Sequence, residues 1–310
     1  MTVPVIVSDL SLLVVGLVRN CESVLAHDVK KISAALEGVS SLQWFVVESD
    51  SADKTVSVLQ DLKAKSGDFQ FVSLGDIRQD FPERTERLAH CRNFYLTELR
   101  TNPKYANVDL VMMVDLDGIN SKFSRDGFES CFHRTDWDAC FANQRAPYYD
   151  IWALRHPLWS PADCWEQYRF LNTVRNNRRL NRQASVYSKM IRIPAKSPWI
   201  QVDSAFGGLA IYRAGVLKDV YYSGVSGLGK AQSEHVALNL ELVKRGHLLF
   251  INPGLINSGY NEHSRTATLR AQLVRLIRET VGRFMFTHRP RFWFRGREMA
   301  SSKPLAQELQ

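Results

Sequence analysis

Val111-Met-Met-Val-Asp-Leu-Asp117 closes an apolar run with two carboxylates two residues apart, and Gly118 follows them. A short, continuous apolar run of this kind reads as a strand buried on both faces. Both carboxylates can reach one divalent cation if the chain turns there, and Gly118 permits a turn. Hard oxygen ligands suit Mg²⁺ or Mn²⁺, which keep positions open for diphosphate oxygens. The bland alternative is a pair of acids that merely flank a strand end. Two acids at this spacing are common by chance, so their place in the chain decides what they mean.

Upstream of that strand, strand-like and helix-like segments alternate. Leu12 to Val18 is β-branched-rich and reads as a buried strand. Leu25, Val29, Ile32 and Leu36 recur at helical spacing, and Gly38 stops the helix. Leu42 to Val47 predicts a second strand, Asp53 to Lys65 a helix, and Phe69 to Leu74 a third strand. Arg84 to Arg100 reads as a long helix, and Asp109 to Val114 is the fourth strand. This order predicts an α/β fold: a mostly parallel sheet with helices on both faces. Ligands of such sheets bind at the carboxyl ends of the strands. The pair Asp115 and Asp117 stands at one of those ends.

Downstream the pattern is weaker. Ser121 to Ser204 is rich in Trp, Pro, Asn and Arg, and Arg169 to Arg182 holds five Arg and no acid. That segment reads as a mobile loop. Ala205 to Tyr212 predicts a strand, Ser233 to Lys244 a helix, and Leu248 to Ile251 the last strand.

Composition narrows the classes. The 310 residues are 45% hydrophobic and 23% charged, which excludes collagen-like and wholly disordered chains. The net charge is +8, yet residues 265–310 carry ten Lys or Arg against three acids. The body is therefore near neutral and the C-terminal segment strongly basic. Five cysteines at irregular spacing, without a CxxC, argue for free thiols rather than a disulfide framework or a zinc site. No apolar run approaches the roughly 18 residues of a bilayer-spanning helix. The N-terminus has no basic stretch ahead of an apolar one, so no signal peptide is expected.

Other candidate residues follow the predicted strands. Glu48-Ser-Asp-Ser-Ala-Asp-Lys-Thr55 puts Glu48 and Asp50 after the second strand, where carboxylates accept from a ribose or a base edge. Asp53 or Ser51 can also cap the next helix. Arg84, Arg87 and Arg92 share a predicted helix, and arginine forks suit diphosphate. Being five apart, Arg87 and Arg92 are expected to face different ways, one to the site and one to solvent. Glu234 opens a helix, either as a dipole partner or as an acid aimed at a substrate hydroxyl. His263 follows the last strand and is a candidate third metal ligand. Gly224-Val-Ser-Gly-Leu-Gly-Lys230 imitates a phosphate-binding loop, but Ala231 stands where a Ser or Thr should hold Mg²⁺.

In this order the motifs resemble the GT-A glycosyltransferases, which use nucleotide-diphosphate sugars. More narrowly they resemble the fungal capsule-associated α-1,3-mannosyltransferases. The matching stretches are Val47–Thr55, Arg87–Asn93, Val114–Asp117, Tyr149–Arg155, Phe206–Ala210, Ser233–His235 and Ile251–Pro253. The resemblance implies that Asp115 and Asp117 bind metal and sugar diphosphate. It implies that Glu48 and Asp50 contact the nucleoside and that Arg92 touches donor phosphate. It further implies that Tyr149, Asp150, Trp152 and Arg155 bind sugar or acceptor, although core packing is the competing role for Trp152. Glu234 falls where such enzymes place an acid near the acceptor, and Glu234 with Asp117 forms the expected catalytic pair.

The expectation is then a GT-A domain over residues 1–263, followed by a basic, aromatic-rich helical tail over 264–310. Its cofactors would be Mn²⁺ or Mg²⁺ and a nucleotide-diphosphate sugar, GDP-mannose favoured and a UDP-sugar possible. The acceptor would be a glycan or a lipid-linked glycan in surface polysaccharide synthesis, and transfer would be retaining. Leu269, Leu273, Leu276, Ile277, Val281 and Phe284 fall on one side of a helical projection. With the neighbouring Arg and aromatic residues, that pattern predicts docking of the tail on an anionic membrane. The competing role is a helix packed on the body. The fungal enzymes carry an N-terminal anchor not seen in this sequence, so a bacterial, cytoplasmic enzyme, peripheral on the inner face of the plasma membrane, is expected. Two other classes remain: an inactive glycan- or lipid-binding protein on the same fold, and a nucleic-acid-binding protein. The near-neutral body argues against nucleic acid as a partner.

Overall fold

The structure is a computed structural model that describes residues 6–260. His263, the basic tail and the proposed division near residue 264 lie outside the described residues.

Eight strands form one sheet: β1 (Ser11–Val18), β2 (Ser41–Glu48), β3 (Phe69–Ser73), β4 (Leu110–Asp115), β5 (Ala139–Gln144), β6 (Ile200–Gln201), β7 (Leu209–Arg213) and β8 (Leu249–Ser258). Their order is β3-β2-β1-β4-β7-β5-β8-β6. Only β7 and β6 run against the rest. The sheet is thus mostly parallel, as the alternating pattern predicts.

Helices α1 (Leu25–Ala35), α2 (Thr55–Lys65) and α3 (Arg84–Thr101) are the crossovers of the parallel half. A short α4 (Arg125–Glu129), then α5 (Cys164–Val174), α6 (Arg178–Ser185) and α7 (Glu234–Lys244) follow. The α1 helix stops where predicted, because Gly38 takes a left-handed φ of 90°.

Side chains alternate across the strands into two cores. Leu13, Val15, Val111 and Met113 pack with Tyr95 and Leu96 of α3 and Leu238 and Leu242 of α7. Leu12, Val14, Met112 and Val114 pack on the other face with Leu25 and Ile32 of α1 and Leu59 of α2. Each such fully buried side chain stabilises the fold by about 1.5–3 kcal/mol. Burial on both faces is why these strands read as unbroken apolar runs. All five cysteines are free and buried, so they serve as small apolar fillers.

After β1 the chain first builds outward to β2 and β3, then returns to place β4 on the other side. Between β1 and β4 the strand order reverses, and a crevice opens at the carboxyl ends there. In register, Leu17 of β1 lies between Val47 of β2 and Asp115 of β4. The first acid of the opening motif therefore stands at the mouth of that crevice.

Two expectations need correction. Arg169 to Arg182 is not a loop but most of a helical hairpin, α5 and α6. Its sequence hides this because the buried positions are polar: Asn181 is fully buried and bonds Asn172 and the Arg175 carbonyl. The strand expected from Ala205 begins only at Leu209, because Gly207 and Gly208 both take positive φ and form a turn. Among the described residues no helix is long and apolar enough to cross a membrane.

Candidate active site

A cavity of about 310 Å³ occupies the crevice between β1 and β4. Its floor is the end of β4. The Asp115 amide donates to the Gly208 carbonyl at 3.0 Å, and the Asp115 carbonyl accepts from Asn120 Nδ2 at 2.6 Å. Asn257 Nδ2 donates in turn to Asn120 Oδ1 (2.9 Å) and to the Gly207 carbonyl (2.8 Å). These buried amides fix the backbone of Asp115 and leave its carboxylate free to face the cavity. The predicted turn follows: Gly118 has φ 89°, and its amide donates to Asp28 Oδ2 of α1 at 2.7 Å. Asp117 is exposed and also lines the cavity.

Arg92 crosses beneath this pair. Its Nε lies 2.8 Å from Glu234 Oε1, and one Nη lies 3.3 Å from Asp115 Oδ1. The guanidinium also sits 5.1 Å from the Phe206 ring centre and 5.8 Å from that of Tyr222. Burial opposes its charge, but Tyr95, Glu234 and Asp115 outweigh that and hold its pKa well above the ordinary value. Burial, with Asp117, Glu234 and Asp150 nearby, pushes the Asp115 carboxyl up to about 7, although Arg92 pulls it down. The site thus crowds more carboxylates than one buried arginine can neutralise. An additional cation would relieve that crowding.

The residues fit a divalent metal on this ground. Asp115 and Asp117 are hard oxygen donors, and Mg²⁺ or Mn²⁺ needs only one or two carboxylates when substrate phosphate and water supply the rest. Among the described residues no cluster of three His, Cys, Asp or Glu could hold a metal ion unaided. The expected third ligand, His263, lies outside them.

Arg19, Arg84, Arg87 and Arg92 line the same cavity as the carboxylates. The expected divergence of Arg87 and Arg92 does not occur: Arg84, Arg87, Leu88, Cys91 and Arg92 form one face of α3, about 140° wide at about 100° per residue, with Arg87 and Arg92 at its two edges. Arg87 also donates to the Phe81 and Pro82 carbonyls at 2.6 Å each.

Asp50 lines the cavity with a left-handed φ of 60°, an uncommon conformation outside glycine. Its Oδ1 accepts from the Ile77 amide at 3.0 Å, and Arg87 Nε stands 3.9 Å from its Oδ2. Glu48 is buried behind it. Its carboxylate accepts from the Ser51 amide at 3.0 Å and from the Ser73 hydroxyl, which shapes the loop that presents Asp50.

Asp150 and Trp152 line the cavity too, whereas Tyr149 and Arg155 are not among its lining residues. Asp150 Oδ2 accepts from the Gly207 amide at 3.0 Å. The Tyr149 phenol is held protonated by burial and by the carboxylates of Asp150, Asp115 and Asp117. Arg155 pairs with Asp163 at 2.8 Å and donates to the Trp152 carbonyl at 2.9 Å. Arg155 thus braces the segment that carries Trp152.

The sequence reading overlooked His235. It is buried, stacks on Phe206 at 3.7 Å between ring centres, and lines the cavity. Neither ring nitrogen has a hydrogen-bond partner, and Nε2 lies 3.6 Å from Glu234 Oε1. Burial and the nearby Arg92 hold its pKa well below the usual value, so it is neutral. The buried Trp152 indole nitrogen also lacks a partner. Buried polar groups are normally satisfied, and these nitrogens, which have almost no accessible surface, are exceptions beside the cavity. The Ser233–His235 motif is the one signal for it in the sequence.

The imitation phosphate loop is something else. A Cβ on Gly224 would stand 2.2 Å from the Thr85 backbone, so this glycine permits close packing on α3. Lys230 lies at the surface, 3.8 Å from Glu166.

No protein-family model and no curated protein matches the chain. Among solved structures it is similar to the mannosyltransferase PcManGT from Pyrobaculum calidifontis, in complex with GDP-Man and Mn²⁺. Identity there is 16%, covering 90% of this chain and 64% of that one, with TM-score 0.47. It is also similar to residues 1–349 of S. aureus TarS in complex with UDP-GlcNAc, at 12% identity, 84% and 62% coverage and TM-score 0.45. Glucosyl-3-phosphoglycerate synthase from Mycobacterium tuberculosis gives 15% identity, 82% and 72% coverage and TM-score 0.41. The chain spans less than two thirds of the first two of these proteins. Likenesses of this size say nothing of activity.

Proposed function

We propose that the chain is a metal-dependent glycosyltransferase that moves a sugar, mannose favoured, from a nucleotide-diphosphate donor to a glycan or lipid-linked acceptor. One observation carries this reading. At the crevice where the strand order reverses, Asp115 and Asp117 share a cavity with Arg19, Arg84 and Arg87. Carboxylates for a cation beside arginines for phosphate are what a metal–diphosphate pair needs.

Roles follow from position. Asp115 and Asp117 would hold the metal, which supplies Lewis-acid neutralisation of the leaving diphosphate when bound. Arg19, Arg84 and Arg87 bind phosphate oxygens. Asp50, presented by Glu48, accepts from the nucleoside. Trp152 and His235 line the wall that would take the sugar, and Asp150 shapes the same wall. Glu234 Oε1 is committed to Arg92, which leaves Oε2 to hold the acceptor hydroxyl or face positive charge developing on the sugar. That use of Glu234 accords with retention, which the family resemblance implies.

The test is thermal unfolding with GDP or UDP, each with and without Mn²⁺. A ligand at about 100 times its Kd stabilises the fold by about 2.7 kcal/mol. A Mn²⁺-dependent shift is expected, larger for GDP if mannose is the sugar. A larger shift for UDP would move the reading to another sugar, and no shift with either would remove it. An inactive binding protein on the same fold would bind without releasing nucleotide diphosphate from a donor.

A further inference from the structure

Helix α1 buries Leu25, Val29 and Ile32 in the core, and Asp28 is buried with them at 2% exposure. A carboxylate taken out of water is costly unless a hydrogen bond uses it. An acid near a helix start can serve as a dipole partner alone. Asp28 does more: its Oδ2 accepts from the Gly118 amide at 2.7 Å, across 90 positions of chain. Gly118 follows the second acid of the opening motif directly. A Cβ there would stand 3.6 Å from Val24 Cγ1, so the turn packs against the start of α1. Asp28 is not among the residues that line the cavity, and no motif in the sequence marks it. The two acids of the motif are held in different ways. Asp115 ends β4, and its backbone is fixed by Gly208 and Asn120. Asp117 lies past the strand end and is exposed. Its Oδ1 accepts from the Ile119 amide at 3.2 Å, a bond within the turn itself. The bond to Asp28 ties that turn to another element.

We infer that Asp28 is a positioning residue for the cation: it holds the Asp117–Gly118 turn so that Asp115 and Asp117 can share one metal ion. The inference rests on the reading of these two acids as the metal ligands. A ligand that is already ordered has less freedom to lose on binding, so holding the turn raises metal affinity. Removing a hydrogen-bond partner that orients metal ligands costs about 10–100-fold in affinity. The role lies in the hydrogen bond, so an amide oxygen at the same place serves as well. A role for the charge alone predicts the opposite, namely that Asp28→Asn loses as much as Asp28→Ala.

The experiment titrates the full chain with Mn²⁺ alone and reads free Mn²⁺ from its electron paramagnetic resonance signal. Wild type, D28N, D28A and D115N/D117N are compared. Wild type should bind Mn²⁺ and D115N/D117N should not. D28A should bind at least about tenfold more weakly, whereas D28N keeps an acceptor oxygen at the same reach and should stay close to wild type. A carboxylate that serves only the fold would lower the unfolding midpoint of D28A and leave the Mn²⁺ Kd of the folded protein unchanged. That result would overturn the inference, and so would equal losses in D28N and D28A. A second measurement needs no variant: in wild type with chelator, the Gly118 amide should be protected from hydrogen exchange before any metal is added. Free exchange at Gly118 would overturn the inference even if D28A failed to fold. Wild type that binds no Mn²⁺ would overturn the metal reading and this inference together; wild-type affinity in D28A would overturn the inference alone.

Discussion

Arg92→Met tests the electrostatic core of the site. Arg92 is 3% exposed and is held between Glu234 at 2.8 Å and Asp115 at 3.3 Å. Methionine is apolar and flexible enough to fill much of the space, so the loss is mainly of charge. Removing one partner of a buried pair costs about 3–5 kcal/mol, because the remaining carboxylates stay desolvated and uncompensated. Two ring contacts to the cation are lost as well, on the order of 1 kcal/mol together. At about 2–4 °C per kcal/mol, the combined loss of about 4–6 kcal/mol gives an expected fall in Tm of about 8–24 °C in chelator. The assay is urea and thermal unfolding of wild type, R92M, E234Q and the double variant. The double variant should be at least about 1.5 kcal/mol more stable than the sum of single losses predicts. Mn²⁺ should recover more stability in R92M than in wild type, since it supplies the missing positive charge. Arg92→Lys should recover only part, because one ammonium cannot bridge both carboxylates as the fork does. A loss below about 1 kcal/mol in R92M, or strict additivity with E234Q, would refute the account of Arg92 as the buried counter-ion.

Two further outcomes follow from the geometry. The pKa of His235 is depressed in the folded state, so the unfolded chain takes up the proton first. Its contribution is fully present above the unfolded value of about 6.5 and is lost below it, by at most about 1.4 kcal/mol per pH unit. His235→Gln should therefore flatten the stability profile between pH 6.5 and 5; a profile of unchanged slope would contradict a buried neutral imidazole. Gly224→Ala places its Cβ 2.2 Å from the Thr85 backbone, so unfolding free energy should fall by roughly 1–3 kcal/mol or more. A wild-type unfolding midpoint would show that the loop can move off α3.

What could be read in advance depended on which forces act locally. The strands β1, β2 and β4 are buried on both faces, and their apolar runs state this without help from the rest of the chain. Asp115 and Asp117 were legible because the motif and the strand end coincide. The β5 strand was not, because Ala139-Cys-Phe-Ala-Asn-Gln144 is short and ends in amides. Those amides are there for tertiary reasons: Asn143 donates to the Ile193 and Pro253 carbonyls, and Gln144 to Gly207. The α5–α6 hairpin hid for a related reason, its inner contacts being Asn to Asn. The convergence of Arg92 on Glu234 joins positions 142 apart, and no local spacing reveals it. His235 was overlooked because its meaning lies in lacking partners, which only the assembled cavity shows.

The most direct measurement is release of nucleotide diphosphate from GDP-mannose and UDP-sugars by the full chain, with and without Mn²⁺, compared with Asp115→Asn/Asp117→Asn. Wild type should turn over one donor only when metal is present, and the double variant should lose that turnover while keeping its fold. Metal-independent turnover, or full activity in the double variant, would contradict the claim that these two carboxylates hold the catalytic cation.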